Sequence, residues 1–372
     1  MKILYLQYGN LWNPFCHGGL SRANHQILKR FAKSHDVTVY TGLIKGPQKS
    51  IKLDNVLYIQ KSILSNRWVN RLSFSIFSFF VNLGKFDIVI LIWDRYAPVI
   101  IRSSRYPTVL EIHSDFLNTP SKLKFIEPLA KFLFKCSVKS SKYAIVLTQY
   151  LSESIKIINN QMRDILVVPN GIDEEMPEYA KAHAPQNNYF LYIGRLDLPV
   201  KGVDVLLRAY KDSGVDLPLK IAGDGPDNKR IRDSIRELGL EKKVDLLGWV
   251  EGSQKYKWLN DCLALCLPSR AEGLPLAAIE ALAFGKPVIG TTIPGLASVI
   301  QHDYNGLLFD TDDAETMAKH LKTIACDPSL RNRLSLNAKQ SSKSYDWDTA
   351  AEKRINFFGG ILKERHEQSS HQ

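Results

Sequence analysis

Cysteine is scarce and irregularly placed in this sequence, with five residues, an odd number, at scattered positions. That excludes the disulfide framework of a small secreted domain and suits a reducing compartment, so a cytoplasmic protein is expected. Cys262 and Cys266 are four apart, but in D-C-L-A-L-C-L-P-S they belong to an apolar strand and read as packed thiols, not metal ligands. No apolar run is long enough to cross a bilayer; the longest, Leu72 to Leu83, falls short of the roughly 20 residues a spanning helix needs. The opening M-K-I-L-Y-L-Q-Y enters a strand directly, without the long apolar region of a signal peptide. Acidic side chains are short in one half only. Residues 1–170 carry 23 Lys and Arg against 9 Asp and Glu, a net +14, while the remainder is at −3. A strongly basic half implies an anionic partner there: a membrane surface, a phosphorylated lipid, an acidic polymer or nucleic acid.

What is present is a well-packed chain of 372 residues, 45% hydrophobic and 23% charged, long enough for two domains. Strand patterns recur from end to end. Residues 2–8, Asp36 to Gly42, Phe86 to Trp93, Pro107 to Asp115, Tyr143 to Thr148 and Ile165 to Asp173 form a first series. Tyr189 to Asp197, Leu219 to Asp227, Val244 to Val250 and Leu263 to Ser269 form a second. Their continuous apolar character is that of parallel strands covered on both faces. Residues 174–188 are polar and contain proline, which marks a domain boundary. An apolar helix is expected from Arg67 to Lys85, and a terminal helix from Asp346 to Leu362 with a polar tail from about His366.

The chain is organised around Pro268 to Thr292, P-S-R-A-E-G-L-P-L-A-A-I-E-A-L-A-F-G-K-P-V-I-G-T-T. It predicts a strand end, a loop, one compact helix and the next strand. Pro275 suits the first helical turn and Gly285 the residue just past the last. Leu274, at the expected cap position, cannot accept from the first amides, so the helix end is left open as an anion site. Glu272 stands in the loop before it, and Glu280 lies about five residues further, roughly 7–8 Å along the axis. A diphosphate on the helix end would have one carboxylate near its outer portion and another along its length. An ordinary αβ unit with two unrelated glutamates fits the local pattern equally well.

Further candidates fall at strand ends, where doubly wound sheets bind ligands. Arg195 and Lys201 are cations there, a fork and a point charge suited to phosphate oxygens. Asp94, Arg95 and Tyr96 follow one strand; Glu111, His113 and Asp115 end another. Gly18 and Gly19 form a turn that opens a helix from about Leu20 to Lys33, without the dinucleotide-binding G-x-G-x-x-G. Lys122 to Lys142 mixes six lysines with aromatic and aliphatic residues. It predicts a helix packed on the sheet whose basic face can also meet an anionic membrane. Asp310, Asp312 and Asp313 precede a helix and read as caps, not metal ligands.

Taken in order, these motifs resemble family 4 of the retaining glycosyltransferases, the group 1 enzymes of GT-B fold. The resemblance spans most of the chain. It rests on E-x7-E from Glu272 to Glu280 with G-K-P-V-I after it, G-R-L-D with Lys201-Gly202, A-G-D-G-P, V-P-N-G-I-D, N-G-L-L, the Gly18-Gly19 loop and His113. Trp93-Asp94-Arg95-Tyr96 resembles a pattern found in part of the family. One departure is Ser298, where the family often has Glu three residues after the Pro294-Gly295 pair, which puts local loop anchoring in question.

The resemblance implies an α/β, GT-B architecture of two Rossmann-like domains facing across a deep cleft. Residues 1–173 would be the acceptor side and 174–345 the nucleotide-sugar side, with 346–372 returning to the first domain. Arg195 and Lys201 would hold the diphosphate, aided by Gly18, Gly19 and the amides near Gly273 and Leu274. Glu280 would accept from the ribose, and Glu272 and His113 would contact the donor sugar as catalytic residues. Asp94, Arg95, Tyr96 and Glu111 would lie on the acceptor side. No metal or other cofactor is expected. The implied function is retaining transfer of a hexose-type sugar from a UDP-sugar, or failing that a GDP-sugar, to a lipid-linked or saccharide acceptor in cell-envelope glycan or polysaccharide biosynthesis. A peripheral place on the inner membrane face is expected, and nucleic acid is not expected as a partner. The alternatives are another GT-B enzyme such as a nucleotide-sugar epimerase, or a non-catalytic binder of anionic polymer. Hydrolysis is disfavoured because both glutamates are already assigned to donor binding.

Overall fold

The computed structural model describes residues 1–9, 19–42, 49–61, 74, 81–93, 106–117, 127–186 and 188–370. The chain divides into two compact units. One holds Met1–Leu117, Ser121–Gly171 and Trp347–Gln372, and the other Ile172–Asp346. The boundary expected after residue 173 thus lies after Gly171.

The first unit is built on eight strands: β1 (Lys2–Leu6), β2 (Asp36–Gly42), β3 (Lys49–Leu53), β4 (Val56–Lys61), β5 (Ile88–Ile92), β6 (Thr108–Ile112), β7 (Tyr143–Val146) and β8 (Asp164–Val167). Their order is β3-β4-β2-β1-β5-β6-β7-β8. All neighbours are parallel except β3 and β4, which form an antiparallel edge hairpin. β5 and β6 are buried at every position, as parallel strands covered on both faces must be. The chain moves outward from β1 to one edge and returns at β5 on the other side of β1. The order therefore reverses between β1 and β5.

The second unit has β9 (Phe190–Ile193), β10 (Leu219–Ala222), β11 (Val244–Gly248), β12 (Ala264–Leu267), β13 (Val288–Thr291) and β14 (Gly306–Phe309). All are parallel, in the order β11-β10-β9-β12-β13-β14, so the order reverses between β9 and β12. In an open α/β sheet such a reversal opens a crevice at the carboxyl ends of the two strands. Val203, Leu206, Tyr210 and Ile231 from the helices meet Phe190, Tyr192 and Ile221 of the sheet in one core.

Two expectations need correction, and one element is new. The hairpin β3–β4 was not read from the sequence; it turns at Asp54 and Asn55, both at positive φ (49° and 62°), the backbone of a tight hairpin turn. Residues 174–188, read as the domain boundary, lie inside the second unit and contain a helix, Glu175–Ala182, anchored by buried Met176. The terminal helix runs Trp347–Ser370, through what reads as a polar tail. It belongs to the first unit, where Phe358 meets Phe31 edge-on at 5.9 Å and Tyr143 donates to Glu364 at 2.8 Å. Gly171 makes the join possible, since a methyl group there would sit 2.4 Å from the Trp347 amide nitrogen. The helix expected from Arg67 to Lys85 lies largely outside the described residues.

Candidate active site

The second unit gathers its candidates where β9 and β12 diverge. After β9 the chain runs through Gly194 to Asp197 into a short helix, Leu198–Lys201. Gly223 and Gly225 back this loop: methyl groups on them would lie 1.8 Å from the Gly194 carbonyl oxygen and 2.3 Å from that of Leu196. The two glycines of A-G-D-G-P therefore let the end of β10 lie against the backbone that presents Arg195. The Arg195 carbonyl accepts from the Tyr192 hydroxyl at 2.9 Å. Its side chain is exposed and has no ion-pair partner among the described residues. Lys201 is set by Gly202, whose φ of 62° and contact with the Pro268 carbonyl (2.0 Å to an added methyl) admit no other residue.

From β12 the chain enters the loop of Ser269 to Leu274, braced by Arg270. That guanidinium grips both carboxylate oxygens of Asp204 at 3.1 and 2.9 Å, and reaches Asp312 at 2.7 Å. The fork ties the loop to the start of the helix Val203–Ser213. Glu272 accepts from Lys201 at 2.5 Å and from the Ser269 hydroxyl at 2.8 Å.

The helix behind the loop is Leu276–Ala283, one residue later than its pattern suggests. Pro275, not Leu274, is the cap residue (φ −73°, ψ 107°), and no side chain caps the helix. Among the described residues no protein acceptor is found for the amides of Gly273, Leu274, Leu276 and Ala277. Proline at the cap leaves the same open end as leucine would, because neither side chain can accept a hydrogen bond. Gly285 closes the helix at φ 65°. Within it, Glu280 is paired with Lys255 at 2.6 Å, both side chains almost buried at 11% and 12% exposure.

The second unit thus holds together a free guanidinium, an ammonium on a carboxylate, an open helix end and a second carboxylate down the helix. Positive groups at one end suit a diphosphate, and carboxylates beside them suit sugar hydroxyls. Lys255, Arg270 and Ser269 were missed in the sequence. Their partners lie 25, 66 and three residues away, and only the Ser269–Glu272 pair is local enough to suggest itself. Asp313 does cap the next helix, accepting from the Thr316 amide at 2.9 Å, whereas Asp312 serves Arg270.

The first unit carries the remaining candidates. Gly19 opens the helix Gly19–Phe31; Gly18, Asp94, Arg95 and Tyr96 lie outside the described residues. His113 follows β6 with its side chain 9% exposed, and its Nε2 is 3.2 Å from Glu111 Oε1. Glu111 is not an open acceptor-side group. It is buried and paired with Arg354 at 3.1 Å. Burial alone would raise its pKa, but Arg354 and His113 outweigh that and hold it at about 2.

Two family descriptions match the chain: Glycosyl transferases group 1 over residues 175–341, and Glycosyltransferase Family 4 over residues 17–176. An uncharacterized glycosyltransferase of Methanocaldococcus jannaschii is 25% identical over 357 residues, covering 94% of this chain and 96% of its own. A Campylobacter jejuni enzyme, N-acetylgalactosamine-N,N'-diacetylbacillosaminyl-diphospho-undecaprenol 4-alpha-N-acetylgalactosaminyltransferase, is 34% identical over 164 residues, 44% of each chain. Among solved structures, sucrose-phosphate synthase from Thermosynechococcus elongatus matches with a TM-score of 0.81 at 17% identity, over 98% of this chain and 100% of that one. Anabaena HepE in complex with UDP-glucose matches with a TM-score of 0.77 at 19% identity, over 97% and 100%. Motif order, the two reversal-point sheets and these matches agree, and the chain belongs to the group 1 glycosyltransferases of GT-B fold.

Proposed function

We propose that this transferase moves a hexose-type sugar, with retention of anomeric configuration, from a UDP-sugar to a lipid-linked or saccharide acceptor in cell-envelope glycan or polysaccharide synthesis. A GDP-sugar is the second choice of donor. The observation that carries the reading is Lys201 held on Glu272 in the loop that leads into the open end of Leu276–Ala283, with Arg195 on the loop that follows β9, where the strand order reverses. The HepE complex with UDP-glucose and the Campylobacter enzyme named for a diphospho-undecaprenol acceptor support the donor and acceptor classes.

In this reading Arg195 and Lys201 take the two phosphates, and Lys201 exchanges part of its contact with Glu272 for the ligand. The amides of Gly273, Leu274, Leu276 and Ala277 add neutral donors, and Glu280 accepts from the ribose. Glu272, freed toward the sugar, accepts from its hydroxyls, and His113 contacts the sugar from the first unit. Charge grows on the departing diphosphate as the glycosidic bond lengthens. Fixed cations and helix amides aimed at that charge stabilise the transition state more than the ground state, with protein groups alone and no metal. Attack on the same face lets the departing phosphate oxygen take the acceptor proton and leaves the configuration retained.

No helix among the described residues is long and apolar enough to cross a membrane. A peripheral contact is proposed instead through the helix Glu127–Ser140, where Leu129 and Phe132 are 59% and 62% exposed beside Lys135 and Lys139.

The test is a thermal-shift panel of UDP- and GDP-sugars without added metal, followed by NMR assignment of the product anomer. A ligand bound only by the native state raises Tm by mass action. A shift with one nucleotide series and an α-linked product from an α-linked donor support the reading. An inverted product would overturn the mechanism.

A further inference from the structure

Arg354, on the helix Trp347–Ser370, is fully buried, at 0% exposure. Stripping a guanidinium of water costs several kcal/mol, and here the compensation is narrow. One terminal nitrogen donates to the Ala350 carbonyl at 3.2 Å and the other to Glu111 Oε1 at 3.1 Å, while Nε has no hydrogen-bond partner. Glu111, 2% exposed, has its Oε1 bonded to Arg354 and 3.2 Å from His113 Nε2, but among the described residues neither Nε2 nor Glu111 Oε2 completes a hydrogen bond. Tyr5, buried on β1, also feels this carboxylate: burial first, then the charge of Glu111, pushes the phenol pKa up. The carboxylate stays charged throughout the neutral range because Arg354 and His113 hold it so.

Glu111 and His113 are two apart at the carboxyl end of β6, which sets both on one side of the sheet. Well-packed apolar residues in place of Arg354 and Glu111 would be about as stable as the ion pair. Stability therefore does not account for a charge pair at this place, directly behind a histidine at a strand end.

We propose that Arg354 and Glu111 form a positioning relay for His113. Clamped by Arg354, the Glu111 carboxylate stands 3.2 Å from Nε2, the nearest charge to an otherwise unpartnered buried nitrogen, and a small rotation of the ring lets it accept from Nε2–H and so fix the tautomer and orientation. Nδ1 is then the lone-pair nitrogen, able to accept from a substrate hydroxyl. A carboxylate on the far ring nitrogen is a general way to set which imidazole nitrogen keeps the proton. The terminal helix thereby takes part in the chemistry without touching substrate. The proposal rests on the reading of His113 as a donor-sugar contact.

The experiment is 15N NMR of histidine-labelled full-length protein, with the His113 signals assigned from His113→Gln. The variants are Glu111→Gln and the double variant Glu111→Met/Arg354→Met, the latter chosen because a lone Arg354→Met strands a buried charge. Release of UDP from UDP-glucose is measured alongside. The relay predicts a single Nε2–H tautomer in the parent and in Glu111→Gln, whose amide oxygen can still accept. It predicts a tautomer mixture in the double variant, with kcat down tenfold or more and KM for UDP-glucose within threefold. A single Nε2–H tautomer persisting in the double variant would overturn the relay. If the tautomer is lost but His113→Gln releases UDP at the parent rate, the relay stands and the role of His113 in the reaction fails.

Discussion

Gly295 packs against the backbone of Glu272 so closely that a methyl group added to it would lie 2.5 Å from the Glu272 carbonyl oxygen and 2.6 Å from that of Gly273. The Ser298 hydroxyl bonds back to the Gly295 carbonyl at 2.8 Å, which holds the turn where the family often places a glutamate. Gly295→Ala must therefore push the loop that carries Glu272 and leads into the open helix end. Transfer should fall about 100-fold, the cost of misplacing a group by an ångström or so. Tm should drop by only a few degrees, because the core of the sheet is untouched. Full activity in a folded Gly295→Ala would mean that the position of Glu272 does not matter.

Lys201 and Glu272 neutralise one another at 2.5 Å, with both side chains partly exposed. At 22% and 12% exposure the pair is largely shielded, so removing either partner costs about 1–3 kcal/mol. Lys201→Ala and Glu272→Ala should each abolish most transfer, about 100-fold or more, while the fold persists with a Tm lowered by a few degrees. Lys201→Ala should also weaken UDP binding by calorimetry, whereas Glu272→Ala should weaken UDP-sugar binding more than UDP binding. Parent-level transfer by both variants would remove this pair from the site.

Lys255 and Glu280 form a second pair, with both side chains almost buried. Lys255→Met leaves a carboxylate without its counter-charge, at a cost of about 1–3 kcal/mol, and should lower both Tm and UDP affinity. The double variant Lys255→Met/Glu280→Met should recover the stability and not the affinity, since an apolar pair packs well but cannot accept from a ribose. If UDP affinity recovers with stability, Glu280 serves the fold alone.

The sequence disclosed what periodicity and short spacing carry. The two strand series, the E-x7-E helix and the cations Arg195 and Lys201 were legible because each motif is local. Lys255 was not, since nothing near E-G-S-Q-K-Y announces a partner on a helix 25 residues on. Arg270 drew no reading from the sequence, since its partners Asp204 and Asp312 are distant along the chain. Glu111 looked like a strand-end ligand; its partner, 243 residues away, comes from the terminal helix. The hairpin Lys49 to Lys61 was legible in principle, from alternation about Asp54-Asn55. The shift of the helix start from Pro275 to Leu276 follows from dihedral angles that no composition rule fixes to one residue.

The helix Glu127–Ser140 presents Leu129, Phe132, Lys135 and Lys139 on its exposed side, while Lys131 is held by Glu127 at 2.6 Å. Lys122 and Lys124 of the same basic stretch lie outside the described residues. Leu129→Ser/Phe132→Ser should weaken sedimentation with phosphatidylglycerol vesicles severalfold at any salt. Lys135→Glu/Lys139→Glu should weaken it mainly at low salt, where exposed charges are least screened. Lys131→Gln should matter less, because its charge is already compensated. Unchanged vesicle binding in all three would dismiss this helix as a membrane contact.

Acid stability gives the buried relay a signature that needs no substrate. Glu111 has a pKa of about 2 in the folded protein against an ordinary 4.5, with Arg354, His113 and Tyr5 facing it. A depressed carboxyl pKa contributes stability that is complete above the unfolded value and is lost as pH falls through the folded one. At ~1.4 kcal/mol per unit, that is on the order of 3 kcal/mol present above about pH 5 and withdrawn between roughly pH 4.5 and 2. Glu111→Gln cannot titrate and leaves Arg354 facing a neutral amide, so its Tm should lie below the parent at pH 7. The gap should narrow steadily as pH falls through that window, whatever other carboxylates do, because they act alike in both proteins. Calorimetric scans at half-unit intervals measure the difference directly. A gap that stays constant from pH 6 to pH 2.5 would show that Glu111 is not held as a charged carboxylate, and the clamp by Arg354 would lose its electrostatic basis.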